Sequence, residues 1–288
     1  MRGKTRNSRL IFFLISPSSL WLLVFFLIPV SILFVFSFWR FVPGEAMQPD
    51  LTLENYIKCF DWYYFKVLYR SLSVSVITTL LTLVLGYPIA FTLARSKPAT
   101  RGFLYILVLA PLLTSAVVRT FGWMILLGRK GFINNCLIAL GLIDDPIKFM
   151  YTDMATIIAL TEVLMPFMIF SLESVLHNID SSLYEAARNL GSSTANIFFT
   201  ITLPLCVPGI AAGSILVFSL AISAYVTPAL MGGPSHPVMP TLIYDQALNL
   251  FNWPFGAAIS FVLLSIMLFV LFIYIRVLRL GKLADILR

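Results

Sequence analysis

Charge is what this sequence has least of. Only 11% of its 288 residues are charged, against 59% hydrophobic and 14% aromatic, whereas an average soluble domain carries about a quarter charged residues. A water-soluble fold of this length cannot hide so much apolar surface. That excludes a soluble enzyme and a disordered chain, and part of the solvent must be lipid. Cysteine is nearly absent as well. Cys59, Cys136 and Cys206 are scattered, odd in number and without a CxxC pair, which gives neither a disulfide framework nor a zinc site. His177 and His236 stand apart and make no metal site. No G-x-x-x-x-G-K-[ST] loop is present to cradle phosphates. Gly3-Lys4-Thr5 copies the end of that pattern inside a basic tail, with no glycine or strand before it. A Ser/His/Asp or Cys/His arrangement for covalent catalysis is missing, as are internal repeats and low-complexity segments. The expectation is a chain that is not an enzyme and binds no cofactor or metal of its own.

Long apolar runs are what the sequence has instead. A spanning helix needs about 20 mostly apolar residues, and six segments qualify, at about 17–38, 71–94, 103–127, 154–172, 205–230 and 255–275. Leu10 to Phe38 holds no charge, and Ser16-Pro17 reads as an N-cap followed by proline at the first helical position. That run is too long for the apolar core of a signal peptide and has no small-x-small cleavage site, so it is expected to stay in the protein. The expected fold is all-α and integral to the membrane, a single transmembrane domain over 1–288 with six spanning helices.

Basic residues then set the topology. Arg2, Lys4, Arg6, Arg9, Arg95, Lys97, Arg101, Arg188, Arg276, Arg279, Lys282 and Arg288 flank the spans on one side. Arg40, Lys58, Lys66, Arg129, Lys130 and Lys148 lie on the other, mixed with eight carboxylates. The positive-inside rule puts both termini in the cytoplasm. The net charge of +7 is thereby mostly a topology signal, and no basic stripe interleaved with aromatics points to nucleic acid. The outer loops 40–66 and 128–153 carry turn signals at Pro43-Gly44 and Asp145-Pro146.

The cytoplasmic loop between the fourth and fifth segments has its own grammar. Ser182 and Glu185 stand in capping-box spacing, predicting a helix from about Leu183. Glu185-Ala-Ala-Arg188 favours helix, and Gly191 falls where a left-handed residue closes one. Ser192 or Ser193 can cap a second short helix, expected to be interrupted by Pro204 and Pro208 before the fifth span.

At these residues the chain resembles the permease subunits of ABC importers. Glu185-Ala186-Ala187, then Gly191, Ile201 and Leu203-Pro204, match the anchors of that family's EAA loop. The resemblance implies the type I importer-permease fold and a loop, 183–204, that docks on a separate cytoplasmic ATPase. It implies that Glu185 makes polar contacts there, that Ala186 and Ala187 permit close approach, and that Gly191 sets the angle between the two helices. Leu85-Gly-Tyr-Pro88, Arg119-Thr-Phe-Gly-Trp123, Leu164-Met-Pro-Phe167, Tyr225-Val-Thr-Pro228 through Gly233, and Asn252-Trp-Pro-Phe-Gly-Ala-Ala258 are similar to the polyamine-type branch. Relatives importing other small amines, amino-acid-like or phosphonate solutes share several of these. The implied complex holds this chain, a second and paralogous permease, two ATPase subunits carrying ATP and Mg, and an extracytoplasmic substrate-binding protein, in a bacterial inner membrane. A self-sufficient channel or secondary carrier is the rival class. It would work without an ATPase and usually carries more ionisable residues within its spans.

Two charges fall inside spans, where each costs a few kcal/mol or more unless paired or hydrated. Arg119 and Glu162 either pair, with each other or with a partner subunit, or face the translocation path, where Glu162 would meet a substrate ammonium and Arg119 could gate. Trp123 and Tyr225 could offer cation–π surfaces to an amine, while Trp253 fits better as an interface anchor. Asp245 could dock a binding protein or line the outer mouth. Gly209-Ile-Ala-Ala-Gly213 permits close helix contact, within the chain or with another subunit. Pro88, Pro111, Pro166 and Pro228 mark kinks.

Overall fold

The structure, a computed structural model, describes residues 16–42, 44 and 47–286, with side chains as far as residue 276. The tail with Arg2, Lys4, Arg6 and Arg9, the Gly3-Lys4-Thr5 stretch, Pro43 and Arg288 lie outside the described residues, as do the side chains of Arg279 and Lys282. Helices dominate. Among the described residues five are long and apolar enough to cross a membrane, or up to six if one sharply bent pair counts as a single span. The chain forms two compact units, 1–65 with 242–265, and 66–241 with 266–288.

In the first unit, α1 (Ser16–Phe36) is an apolar rod whose middle, Leu23–Leu27, is wound as a π turn. A short loop follows, pinned by a two-residue bridge between Arg40 and Gln48. Asn55, in α2 (Glu54–Cys59), donates to the carbonyls of Ser37 and Trp39 at 3.0 and 2.9 Å, satisfying groups that the end of α1 leaves open. Burial, with Asp61 nearby, raises the Cys59 thiol to about 11, so it remains a neutral packing group.

The second unit contains most of α3 (Trp62–Arg95), a helix that starts nine residues before the expected span at 71. Its buried face runs Ser71, Ser75, Thr78, Thr79 and Thr82. Such small side chains let neighbouring backbone approach. Ser71, Ser75 and Thr79 each turn their hydroxyl back to the carbonyl four residues earlier, at 2.7–3.0 Å.

The third expected span, 103–127, is not one helix. α4 (Pro98–Leu113) ends in a tight turn containing Pro111, Thr114 is extended, and α5 (Ala116–Leu127) restarts under a cap from Ser115, whose hydroxyl accepts from Val117 N at 3.3 Å. The segment after the break, which continues into α6 (Phe132–Ala139), is turned 93° from α4. A proline without an N–H followed four residues later by a good cap makes breaking the ladder cheaper than continuing it.

α7 (Asp153–Leu176) is the most enclosed helix. It packs Leu164, Met168, Ile169, Leu172 and Leu176 against Ala90, Leu93 and Ala94 of α3 and against Cys206, Val217 and Ala221. The last three belong to α9 (Thr194–Ile222), which corrects the expectation that Pro204 and Pro208 interrupt the chain ahead of the fifth span. A π turn at Phe198–Thr202, closed by Leu203 N–H to Phe198 O, widens the ladder just before Pro204 and makes room for its ring. α9 also stops at Ile222 rather than near residue 230. Pro228 has no N–H to give and crowds the turn before it, so a separate α10 (Val226–Met231) follows.

Gly209 and Gly213 find their partner inside the chain. A Cβ at Gly209 would lie 2.9 Å from Ser171 O, and one at Gly213 would lie 2.6 Å from Met168 Sδ. α11 (Met239–Tyr244) and α12 (Trp253–Ile286) complete the described helices.

Candidate functional site

The stretch between α7 and α9 forms a helix–glycine turn–helix. α8 (Ser181–Asn189) begins two residues before the expected start because Asp180 takes the cap, accepting Ser182 N–H at 2.9 Å. That bond, with the Ser182 hydroxyl, lowers the Asp180 carboxyl from its ordinary value. At the other end Gly191 adopts φ +78°. Ser192 N–H then reaches Ala187 O at 3.0 Å and Gly191 N–H reaches Arg188 O at 2.9 Å, the paired bonds of a Schellman turn. Ser193, not Ser192, caps the next helix, accepting from Asn196 N at 3.2 Å.

This hairpin is tethered by Tyr184. The Arg95 guanidinium sits 3.9 Å from the centroid of its ring, a cation–π contact from the end of α3, and Thr202 donates to its hydroxyl at 3.3 Å. A cavity of about 350 Å³, lined by Tyr87, Phe91, Tyr184, Arg188, Phe198 and Thr202, separates the hairpin from α3. Glu185, Ala186, Gly191 and Pro204 are exposed, Ala187, Ile201 and Leu203 half-buried. Leu190, at 86% exposure, projects beside them. It went unnoticed in the sequence because a leucine one residue before a helix-ending glycine looks like core.

The two intramembrane charges meet. Arg119 Nη1, on α5, donates to Glu162 Oε1, on α7, at 3.1 Å, and Trp123 Nε1 approaches Glu162 Oε2 at 3.4 Å. Arg119 is 13% exposed and Glu162 30%. Arg119 Nε is buried and has no protein acceptor. Next to Arg119 on α5, Thr120 shares a hydrogen bond of 3.2 Å with Thr227 of α10. Tyr225 lies at the N-cap of α10, half-buried. Asp245 belongs to the other unit, where it accepts from Asn249 at 2.7 Å.

Two further ionic groups were not legible. Glu173, one residue past the expected end of the fourth span, is only 7% exposed and accepts from Arg101 Nη2 at 2.7 Å. The same guanidinium lies 3.2 Å from His177 Nε2 and 3.5 Å from the Tyr105 hydroxyl. At the opposite end of α7, Asp153 pairs with Arg70 Nε at 3.3 Å and with His236 Nδ1 at 2.9 Å. The only sequence signal for either was a carboxylate at a helix terminus.

Comparison with known proteins assigns this architecture. Residues 82–280 match the model of the family described as binding-protein-dependent transport system inner membrane component. The chain belongs to that family. Among curated relatives, the spermidine/putrescine transport system permease protein PotB of Salmonella typhimurium (strain SL1344) is 40% identical over 268 residues, covering 92% of this chain and 93% of the relative. Its namesake in Escherichia coli (strain K12) is 40% identical over 260 residues, covering 90% and 94%. Among solved structures, a bacterial ABC transporter involved in import of the acidic polysaccharide alginate superposes with a TM-score of 0.76 at 20% identity, over 95% of this chain and 97% of that one. At that identity the likeness concerns the fold, which resembles the type I ABC-importer permeases. The chain is thus a multi-pass membrane permease subunit, the transmembrane half of an ABC importer and a translocation component rather than a catalytic one.

Proposed function

We propose that this permease forms half of the translocation pathway for a polyamine, putrescine or spermidine, in an ATP-driven importer. The observation that carries the solute is the 40% identity, over nearly the whole chain, to permeases named for those two amines. In this reading the chain is one transmembrane domain over 1–288 with six spans, the bent α4–α5 pair counting as one, and both termini face the cytoplasm. Its partners are a paralogous permease, two cytoplasmic ATPases that bind ATP and Mg, and an extracytoplasmic binding protein that delivers solute.

The hairpin 183–204 is the coupling element. Glu185 and Ala186 stand on its open face, Gly191 fixes the angle, and Ile201, Leu203 and Pro204, on α9 itself, carry it into the fifth span. ATP-driven closure of the ATPases pushes this hairpin, and α9 carries the displacement into the membrane. Glu162, with Arg119, Trp123 and Tyr225, lines the solute path, and Asp245 serves the outer mouth. The coupling is allosteric, with two distant sites biasing one two-state assembly.

The test is uptake of radiolabelled putrescine and spermidine by cells carrying the four-component system, with and without this chain. Uptake that depends on the chain is expected. A complex confirmed as assembled in the membrane that takes up neither amine would discard the solute and leave the importer class standing.

A further inference from the structure

α7 carries two buried-side carboxylates, Glu162 and Glu173, eleven residues apart. At 3.6 residues per turn they fall on nearly the same face, within roughly 20°, and about 16 Å apart along the axis. Their arginines come from the two arms of the bent pair. Arg101 belongs to α4 and Arg119 to α5, on opposite sides of the break at Thr114–Ser115. One helix therefore clamps each arm with its own ion pair.

The two clamps are built differently. Arg101–Glu173 is short, at 2.7 Å, its carboxylate is almost fully buried, and its guanidinium also reaches His177 and Tyr105. Opening that pair would strand a buried charge. Arg119–Glu162 is longer, at 3.1 Å; both pairs are single-pronged, although a guanidinium can meet a carboxylate with two parallel bonds. Its Nε finds no protein acceptor, the second carboxylate oxygen has only a long indole contact, and the carboxylate is the more exposed partner. A pair meant only to hold helices together gains from every donor being satisfied, and this one leaves donor capacity unused.

We propose that Glu162 is an ammonium site which Arg119 occupies as a built-in stand-in when no solute is there. This inference rests on the amine solute reading above. A primary ammonium is a compact donor of three hydrogen bonds, and it can take the Glu162 oxygens beside the Trp123 ring, whose face attracts a cation. The displaced guanidinium releases one of the two α5 side chains that join that arm to Glu162, Trp123 being the other. α4 stays fixed through Glu173. Solute entry is then read at the break between the arms, and an uncharged or anionic solute, which cannot compete for a carboxylate, leaves the pair closed.

The experiment is equilibrium binding of radiolabelled putrescine to the purified complex of both permeases with the ATPases, without the binding protein. Arg119→Gln removes the competing cation and should tighten binding by about tenfold or more. Arg119→Lys keeps a cation and should stay near wild type, and Arg119→Gln combined with Glu162→Gln should lose the gain. Arg119→Met, similar in bulk, takes the place of the glutamine variant if that one does not assemble. Unchanged affinity in an intact Arg119→Gln or Arg119→Met complex overturns the proposal, as does a gain that persists without Glu162. Uptake of putrescine by the wild-type system is measured in parallel and bears on the solute alone. No uptake together with the Glu162-dependent gain would remove polyamine as the physiological solute while supporting the ammonium site.

Discussion

Replacing Gly191 separates two reasons why a glycine stands there. Its φ is +78°, and a Cβ built on it meets nothing within 4 Å. Within this chain the only penalty for alanine is therefore intrinsic, about 1–2 kcal/mol for an L-residue held in the left-handed region. The Ser192–Ala187 and Gly191–Arg188 bonds depend on that conformation, so the penalty falls on the turn itself. One to two kcal/mol lowers the population of the native hairpin angle about 5- to 30-fold. Asparagine tolerates left-handed φ better than alanine and should recover part of the loss. The reconstituted importer provides the assay, with solute uptake and ATP hydrolysis measured on the same preparation. Gly191→Ala is expected to reduce uptake per ATP hydrolysed with normal amounts of complex in the membrane, Gly191→Asn to reduce it less, and Gly191→Arg to reduce it most. Arginine has the same backbone cost as alanine and open space in this chain, so its excess loss would report the surface of the ATPase. Equal activity in the alanine and wild-type proteins, or an asparagine variant worse than alanine, would refute the conformational argument.

Other perturbations address packing and charge. Arg101→Ala leaves Glu173 buried and unpaired; a lower melting temperature of the purified complex, largely recovered when Glu173→Gln is added, is the expected result. Gly213→Val puts branched carbon where Met168 Sδ already stands 2.6 Å from the Cβ position, and the yield of intact permease in the membrane should fall sharply. Arg95→Met removes the cation above Tyr184, worth about 0.5–2 kcal/mol, and should weaken coupling while leaving the amount of inserted protein unchanged. The Asp180 carboxyl is depressed by the amide it caps, so its contribution is complete above the ordinary value of 3.8 and is lost only as pH falls through the lower, folded one. Amide exchange at Ser182 should accordingly keep its protection as pH drops to that ordinary value, and Asp180→Ala should abolish the protection at all pH.

The apolar runs and the hairpin were legible because each is written in local sequence. A span is a matter of length and charge, and Gly191 three residues beyond Glu185-Ala-Ala-Arg188 needs no tertiary information to be read as a helix end. The break at Thr114–Ser115 was also written locally, in Pro111 and a serine cap, but a long apolar run with a single charge outweighed it. Pro204 misled in the opposite direction, since a π turn upstream absorbs what a proline would otherwise break. The ion pairs could not be found this way. Arg101 and Glu173 are 72 residues apart in sequence, and only the packing of α4 on α7 brings them together. The same holds for the direction of Gly209 and Gly213, whose spacing gave close contact without saying against what.

α9 runs unbroken from Thr194 to Ile222, 29 residues, a rod of about 43 Å. At Gly209 and Gly213 its backbone lies against α7 with no room for a Cβ, so the rod has a fulcrum there. About 26 Å lies between that point and the Thr194 end, and about 16 Å between it and Ile222. A sideways push at the hairpin is thus returned at the far end reversed and reduced to roughly two thirds. In the coupling proposed above, the glycines would set the mechanical advantage of the permease, and a larger side chain at either position would shift the pivot.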